Sequence, residues 1–117
     1  MPEQRPGSLH VKASRSGDAV VVQPTGDVDL TGSPILRAEL RRAAAEQGRK
    51  LVVDLSAVPY MDSSGVATLV EALQLARKSG KALVVSGLSA RVQSIFAIAK
   101  LETVFKIVPT VEDALKV

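Results

Sequence analysis

Two adjacent serines, Ser63 and Ser64, lie between Asp62 and Gly65 and are the side chains of this sequence best suited to chemistry. An apolar run before them and a helical pattern after them place the pair at the start of a helix, where backbone N–H groups lack intrahelical partners. Such a position favours an anion, and Gly65 lets the chain turn tightly there. A phosphate would add about −1.5 to −2 charges beside Asp62. The residues alone leave two roles open for the hydroxyls: helix capping and modification.

Composition excludes several other kinds of chemistry. The 117 residues contain no cysteine, which removes disulfides, thiolate nucleophiles and thiolate metal sites. The single histidine, His10, has no second imidazole with which to bind a metal, and we assign it no role. No nucleophile is paired with a recognisable base. We therefore expect a binding protein rather than an enzyme, with no metal and no cofactor of its own.

Charge and hydropathy limit the partners. The net charge of +3 comes from basic residues in separate pairs beside predicted helix ends, and aromatic residues, which could stack on bases, make up only 3% of the chain. No apolar run approaches the roughly 18 residues of a membrane span, and residues 1–8 carry no secretory-signal pattern. We expect a cytoplasmic protein, with residues 1–8 as a flexible tail, that neither binds nucleic acid nor inserts directly into a membrane.

The elements that must position the serines follow an α/β order. Two short strands separated by Ser16-Gly17-Asp18 predict an opening β-hairpin. Later apolar runs rich in β-branched residues predict buried strands, and the helical patterns between them imply parallel crossovers. The predicted order is ββαβαβαβα, a mixed, mostly parallel sheet with helices in one domain over residues 9–117. The strands after the hairpin are predicted at residues 51–55, 82–86 and 104–108.

Capping residues predict where the first and last helices begin and end. Ser33 followed by Pro34 predicts an N-cap and a first helical residue, for a helix that runs to about Gln47 before Gly48. Thr110 is predicted to cap a short last helix with an acidic first turn.

The segment from Val52 to Gly65 resembles the signature of STAS domains, above all of bacterial anti-sigma factor antagonists, in which an apolar strand leads into an Asp-Ser-Ser-Gly helix start. The loop Thr25-Gly26-Asp27-Val28-Asp29 is similar to the family's Gly-Glu-Leu/Ile-Asp loop after the second strand. The resemblance extends over roughly residues 9–117. The departures are mild: Asp27 replaces the more usual glutamate, and Val66 replaces the more usual leucine.

The resemblance implies a role for each polar residue of these two loops. Ser64, the second serine of the pair, would accept a phosphate, and Ser63 is the alternative target. Asp27 would contact the partner or cap its turn, and Asp29 would lie near the phosphorylated serine. Asp62 would orient Ser64 or the turn itself.

The resemblance also implies competition between proteins. The unphosphorylated domain would bind an anti-sigma factor serine kinase of the GHKL ATPase type and so release the sigma factor, until the kinase phosphorylates Ser64. A serine phosphatase would restore binding. The partner would contact the turn and the outward side of the second helix, whose buried stripe is predicted at Val66, Leu69, Val70 and Leu73. The outward residues are predicted to be Ala67, Thr68 and Glu71.

Other functions stay open. The same fold also occurs as the STAS subunit of membrane lipid or anion transporters and in stressosome scaffolds. Residues 54–62 superficially resemble the phospho-acceptor region of a two-component receiver domain. A receiver, however, needs an acidic cluster after its first strand and a lysine at the end of its fifth, whereas Lys106 lies in the middle of the predicted last strand.

Overall fold

A five-stranded sheet forms the centre of the computed structural model, which describes residues 9–117. The strands lie side by side in chain order, with the first pair antiparallel and every later pair parallel. The α/β class, the opening hairpin and the order ββαβαβαβα are therefore confirmed, whereas the predicted tail of residues 1–8 lies outside the described residues. The strands are β1 (His10–Ser16), β2 (Ala19–Thr25), β3 (Lys50–Asp54), β4 (Ala82–Ser86) and β5 (Lys106–Val108). The helices are α1 (Ser33–Ala45), α2 (Ser63–Lys78), α3 (Ala90–Ile98) and α4 (Val111–Lys116).

The central strands are apolar at successive positions because both faces of the sheet are covered. Side chains alternate between the two faces of a strand. Leu51 and Val53 of β3 point into a core shared with buried residues of α1, α2 and α3. Val52 points to the opposite face, where it belongs to a smaller cluster with Ala114 of α4. This two-sided burial explains the unbroken valine runs and holds the carboxyl end of β3 rigidly beneath the loop that leads to α2.

The last strand is shorter than predicted. Leu101–Thr103 form a 3₁₀ turn, preceded by Lys100 in the left-handed conformation (φ 58°), and β5 begins only at Lys106. The apolar side chain of Phe105, which suggested a strand, packs instead in the core against Phe96, with ring centroids 5.9 Å apart.

The predicted start of α1 also needs correction. Its N-cap is Gly32, which makes no side-chain capping bond, and Ser33 is the first helical residue. The prediction fails because the Ser33 hydroxyl oxygen lies 2.7 Å from the carbonyl oxygen of Asp29 instead of accepting from the helix. Thr110 behaves as predicted: its hydroxyl accepts from the N–H of Asp113 at the start of α4. The C-terminal end of α1 lies at Ala45, two residues earlier than predicted.

No helix in the described part of the chain has both the length and the apolar character that spanning a bilayer requires.

Candidate functional site

Asp62 is the N-cap of α2. Its backbone is extended (φ −106°, ψ −170°), and its Oδ1 accepts from the N–H groups of Ser64 at 2.9 Å and of Gly65 at 3.3 Å. The hydroxyl of Ser64 donates to the same oxygen at 2.5 Å. The capping role considered for the two serines is therefore taken by Asp62, which leaves their hydroxyls for other bonds.

These contacts keep Asp62 ionised. The hydrogen bond from the Ser64 hydroxyl lowers the pKa of Asp62 most, desolvation by burial opposes it, and the N–H groups of Gly65 and Ser64 lower the pKa further. Because the folded state lowers the pKa, the stabilisation is complete above the ordinary value of 3.8 and is lost as the pH falls through the lowered one. A charged carboxylate that accepts several donors is thus part of the site at neutral pH.

We expect Asp62→Ala to lower the free energy of unfolding by about 1 kcal/mol at neutral pH, the usual cost of losing a helix cap. Urea unfolding of both proteins at neutral pH and again in acid, below the lowered pKa, measures the difference. The difference in unfolding free energy between the two proteins should narrow in acid, because protonation of Asp62 also weakens the cap of the wild-type protein. Asp62→Asn, which keeps an acceptor but not the charge, should lose less. A difference in unfolding free energy that is independent of pH would contradict the capping role assigned to the charged carboxylate.

Backbone hydrogen bonds join the two loops that carry the sequence motifs. Val28, which separates Asp27 from Asp29, donates its N–H to the carbonyl of Tyr60 at 3.0 Å. Its own carbonyl accepts from the N–H of Asp62 at 3.2 Å. Val28 is fully buried, so these bonds are shielded from water. Two motifs that are about 35 residues apart in the sequence become neighbours in the fold.

Gly65 is needed at this junction for its size. A Cβ placed on Gly65 would lie 2.5 Å from Cγ of Met61 and 2.7 Å from the carbonyl oxygen of Val28. Gly65 lies within α2, so the requirement is space for the backbone of Val28, which passes close by, rather than an unusual backbone conformation. The close approach brings the start of α2 against the Asp27 to Asp29 loop.

Asp29 reaches Ser64 only through an intermediate residue. The Asp29 carboxylate caps its own turn by accepting from the N–H groups of Thr31 at 3.1 Å and Gly32 at 2.9 Å. The carbonyl oxygen of Asp29 lies 2.7 Å from the Ser33 hydroxyl oxygen, and the Ser33 and Ser64 hydroxyl oxygens lie 2.8 Å apart. Ser33 was missed as a site residue, since no spacing in the sequence signals a contact across 31 positions.

The two serines differ in exposure. Ser63 is exposed, whereas Ser64 is half-buried and hydrogen bonded through its hydroxyl. Ser64 is therefore neither fully buried in the core nor freely exposed. Asp27 is half-buried in the neighbouring loop.

One predicted outward residue of α2 is buried. Ala67 is exposed as expected, but the prediction for Thr68 is wrong: it is 1% exposed and donates its hydroxyl to the carbonyl of Ser64 at 2.9 Å. Positions 64, 68 and 71 share one helix face, and that face turns towards α1. As a result Val66 and Val70, which were predicted in the buried stripe, are only half-buried.

Glu71 bridges α1 and α2. Its carboxylate pairs with Arg37 at 2.9 Å and Arg41 at 2.6 Å, both in α1. The hydrogen bond from Arg41 is the main cause of a lowered pKa for Glu71. Glu71 is partly exposed, so its predicted contact with a partner stays a prediction, but its carboxylate already has two partners within the chain.

An apolar groove runs beside the start of α2. It lies between Met61 and Val66 on one side and Ile98 of α3 on the other, and Asp62 and Ser63 border it. Ile98 is 83% exposed, an unusual position for a large apolar side chain. The sequence did not predict this groove because its two sides come from segments about 30 positions apart in the sequence. Among residues 9–117, no three Cys, His, Asp or Glu side chains form a cluster that could hold a metal ion.

Comparison with known proteins gives the family. A model described as the STAS domain matches residues 10–114. An anti-sigma-B factor antagonist of Bacillus subtilis (strain 168) is 31% identical over 100 residues, which cover 86% of this chain and 91% of that protein. The crystal structure of an anti-sigma factor antagonist from Mycobacterium paratuberculosis has a TM-score of 0.88 over 97% of both chains, at 24% identity.

The phosphorylated form of the Bacillus cell fate determinant SpoIIAA shares the fold, with a TM-score of 0.70 and 17% identity over 92% of this chain and 97% of that one. With this architecture, an Asp-Ser-Ser-Gly helix start joined to the Asp27 to Asp29 loop, and a family model over residues 10–114, the chain belongs to the STAS domain family.

Proposed function

We propose that this chain is an anti-sigma factor antagonist that binds an anti-sigma factor kinase of the GHKL ATPase type and is released when the kinase phosphorylates Ser64. The observation that carries the proposal is the placement of the Ser64 hydroxyl: it belongs to a half-buried residue at the start of α2 and donates to a charged carboxylate 2.5 Å away. The 31% identity to an anti-sigma-B factor antagonist supports the same conclusion. The domain is then the substrate of the reaction, not the catalyst.

The chemistry needs little from this chain. The Ser64 oxygen attacks the γ-phosphorus of ATP, the bond to the β-phosphate oxygen breaks, and the serine proton passes to a base of the kinase. Asp62 orients the hydroxyl but is a poor final acceptor for the proton, because its pKa is lowered. ATP and Mg²⁺ are bound by the kinase, and the reaction takes place in the cytoplasm. A serine phosphatase reverses it.

Phosphorylation changes the surface more than the fold. The modified oxygen can no longer donate to Asp62, and about −1.5 to −2 charges are added at the start of a helix, where the dipole stabilises them. A partner that covers the same turn with acidic or apolar groups must desolvate those charges. We expect the helix dipole to offset the repulsion between the phosphate and the Asp62 carboxylate, so that the domain tolerates the phosphate whereas the complex does not.

The docking surface that fits this mechanism surrounds the turn. Ser63 and Ala67 are exposed beside Ser64, and the apolar groove that ends at Ile98 adjoins them. A groove of this kind supplies the apolar contact area that a protein partner buries, with the polar turn at its edge. The half-buried Asp27 lies on the loop that is hydrogen bonded to the turn and would contribute to its rim.

Mass spectrometry of the protein after incubation with its kinase and ATP tests the proposal. We expect one phosphate, unchanged in amount in Ser63→Ala and absent in Ser64→Ala, because only Ser64 has its hydroxyl oriented by Asp62. Ser94→Ala, at an exposed serine of α3, is the matched control and should keep the phosphate. The same measurement on protein isolated from its own cells separates the functions that the fold allows: a Ser64 that is never phosphorylated would overturn the proposal and favour a transporter or scaffold role.

A further inference from the structure

Three close contacts between oxygen atoms connect Asp29, Ser33, Ser64 and Asp62 in a chain, but only two hydroxyl protons are available to them. The Ser33 hydroxyl oxygen lies 2.7 Å from the carbonyl oxygen of Asp29, the two serine oxygens lie 2.8 Å apart, and Ser64 lies 2.5 Å from Asp62. Each serine carries one hydroxyl proton. One of the three contacts is therefore without a proton at any moment, and its identity determines which way the Ser64 hydroxyl points.

The acceptors decide between the arrangements. The Asp62 carboxylate is charged, so a hydrogen bond to it is stronger than one to a neutral carbonyl. Without the Ser33 proton, the carbonyl of Asp29 still has a hydrogen bond, because it also accepts from the backbone N–H of Ser33 at 2.8 Å. A Ser64 hydroxyl that donates to a carboxylate is also a better acceptor for the Ser33 proton, because hydrogen bonds in a chain polarise one another. The favoured arrangement has Ser33 donating to Ser64 and Ser64 donating to Asp62.

We propose that Ser33 is a positioning residue for phosphoryl transfer to Ser64: its hydroxyl donates to the Ser64 oxygen and so holds that oxygen in the orientation that attacks the phosphoryl group. A serine oxygen has one proton and two lone pairs. With the proton held by Asp62 and one lone pair engaged by Ser33, the remaining lone pair has a single direction. Holding the attacking oxygen in one orientation lowers the activation free energy of an in-line transfer.

Burial separates this role from partner binding. Ser33 is 4% exposed, so its side chain lies beneath the surface that a kinase covers. It begins α1, whereas Ser64 lies in α2, so the contact joins the two helices at their N-terminal ends. Removing the hydroxyl should therefore change the rate of transfer without changing how tightly the kinase binds.

The test is the steady-state kinetics of phosphorylation of Ser33→Ala by the kinase. We expect kcat to fall about tenfold, roughly the effect of losing one orienting hydrogen bond, with KM and the affinity for the kinase unchanged. Ala43→Gly is the matched control, because it weakens the same helix at a buried position that is remote from the hydroxyls and should leave kcat unchanged. An unchanged kcat in Ser33→Ala, or an equal loss in Ala43→Gly, would overturn the inference.

A second measurement needs no kinase. In Ser33→Ala, the pKa of Asp62 followed by NMR of its carboxyl carbon should not fall, since Ser64 already donates to Asp62 in the wild-type protein. A fall would mean that the Ser64 proton had pointed to Ser33 and turned to Asp62 only in the variant, which would overturn the inference. The inference rests on the proposed function, and the two fail differently: wild-type protein that is not phosphorylated on Ser64 refutes the function, whereas normal phosphorylation of Ser33→Ala refutes only the role of Ser33.

Discussion

Ser64→Asp is expected to weaken binding to the kinase by at least about 100-fold while the domain stays folded. A like-charge or desolvation penalty of a few kcal/mol at a docking surface corresponds to a factor of this size. We expect the fold to tolerate the new carboxylate because it lies in the first turn of α2, where the helix dipole offsets its repulsion by the neighbouring Asp62 carboxylate. Isothermal titration calorimetry measures the affinity, and circular dichroism with thermal unfolding measures the fold.

Two variants make that result specific to the turn. Ser64→Ala adds no charge and should bind with nearly wild-type affinity, although it cannot be phosphorylated. Ser16→Asp places the same charge on an exposed serine at the β1–β2 hairpin, at the opposite end of the sheet from the turn, and should also bind normally. Tight binding by Ser64→Asp would remove the electrostatic basis of the switch, whereas equal weakening by Ser16→Asp would point to net charge rather than to the turn.

Gly65→Ala is expected to destabilise the domain by about 2 kcal/mol, within the range for overpacking a tight site. The new Cβ would meet the Val28 carbonyl oxygen at 2.7 Å, and this backbone atom cannot move away without loss of its bond from Asp62. The Cγ of Met61 would lie closer still, at 2.5 Å, and Met61 is fully buried, so it has little room to move away. Denaturant unfolding measures the loss. Binding of the kinase should weaken as well, because the turn must shift.

The higher helix propensity of alanine should stabilise the Gly65→Ala variant, and this contribution has to be separated from the effect of the close contact. Alanine is favoured over glycine inside a helix by about 1 kcal/mol. Ala67→Gly, at an exposed position of the same helix, measures that contribution alone. If Gly65→Ala proves more stable than the wild-type protein by the amount that Ala67→Gly loses, the close approach of Val28 to α2 is not a constraint on the fold.

Local signals in the sequence were sufficient to predict the elements. The opening hairpin, the valine-rich central strands and the Thr110 cap all depend on residues that are close in the sequence, and all three are confirmed. The helix start after Asp62 is equally local, because a capping residue and the helix that it caps are adjacent. The STAS resemblance was readable for the same reason, since its main signature is one uninterrupted segment.

The tertiary structure decided which face each residue of the site presents. The stripe of α2 predicted from Val66, Leu69, Val70 and Leu73 is rotated towards α1, which buries Thr68 and draws Glu71 into pairs with Arg37 and Arg41. The periodicity of a helix gives the spacing of its buried positions, but the neighbouring helices set where the stripe is centred.

The sequence by itself determined that a helix begins at an Asp-Ser-Ser-Gly turn after a buried strand, because propensity, capping and hydrophobic pattern act over a few residues. Only the tertiary structure decided that Ser33 lies against Ser64 and that Val28 passes over Gly65. Such contacts join residues more than 30 positions apart, and their geometry depends on how α1, α2 and the sheet pack together, which no local pattern specifies.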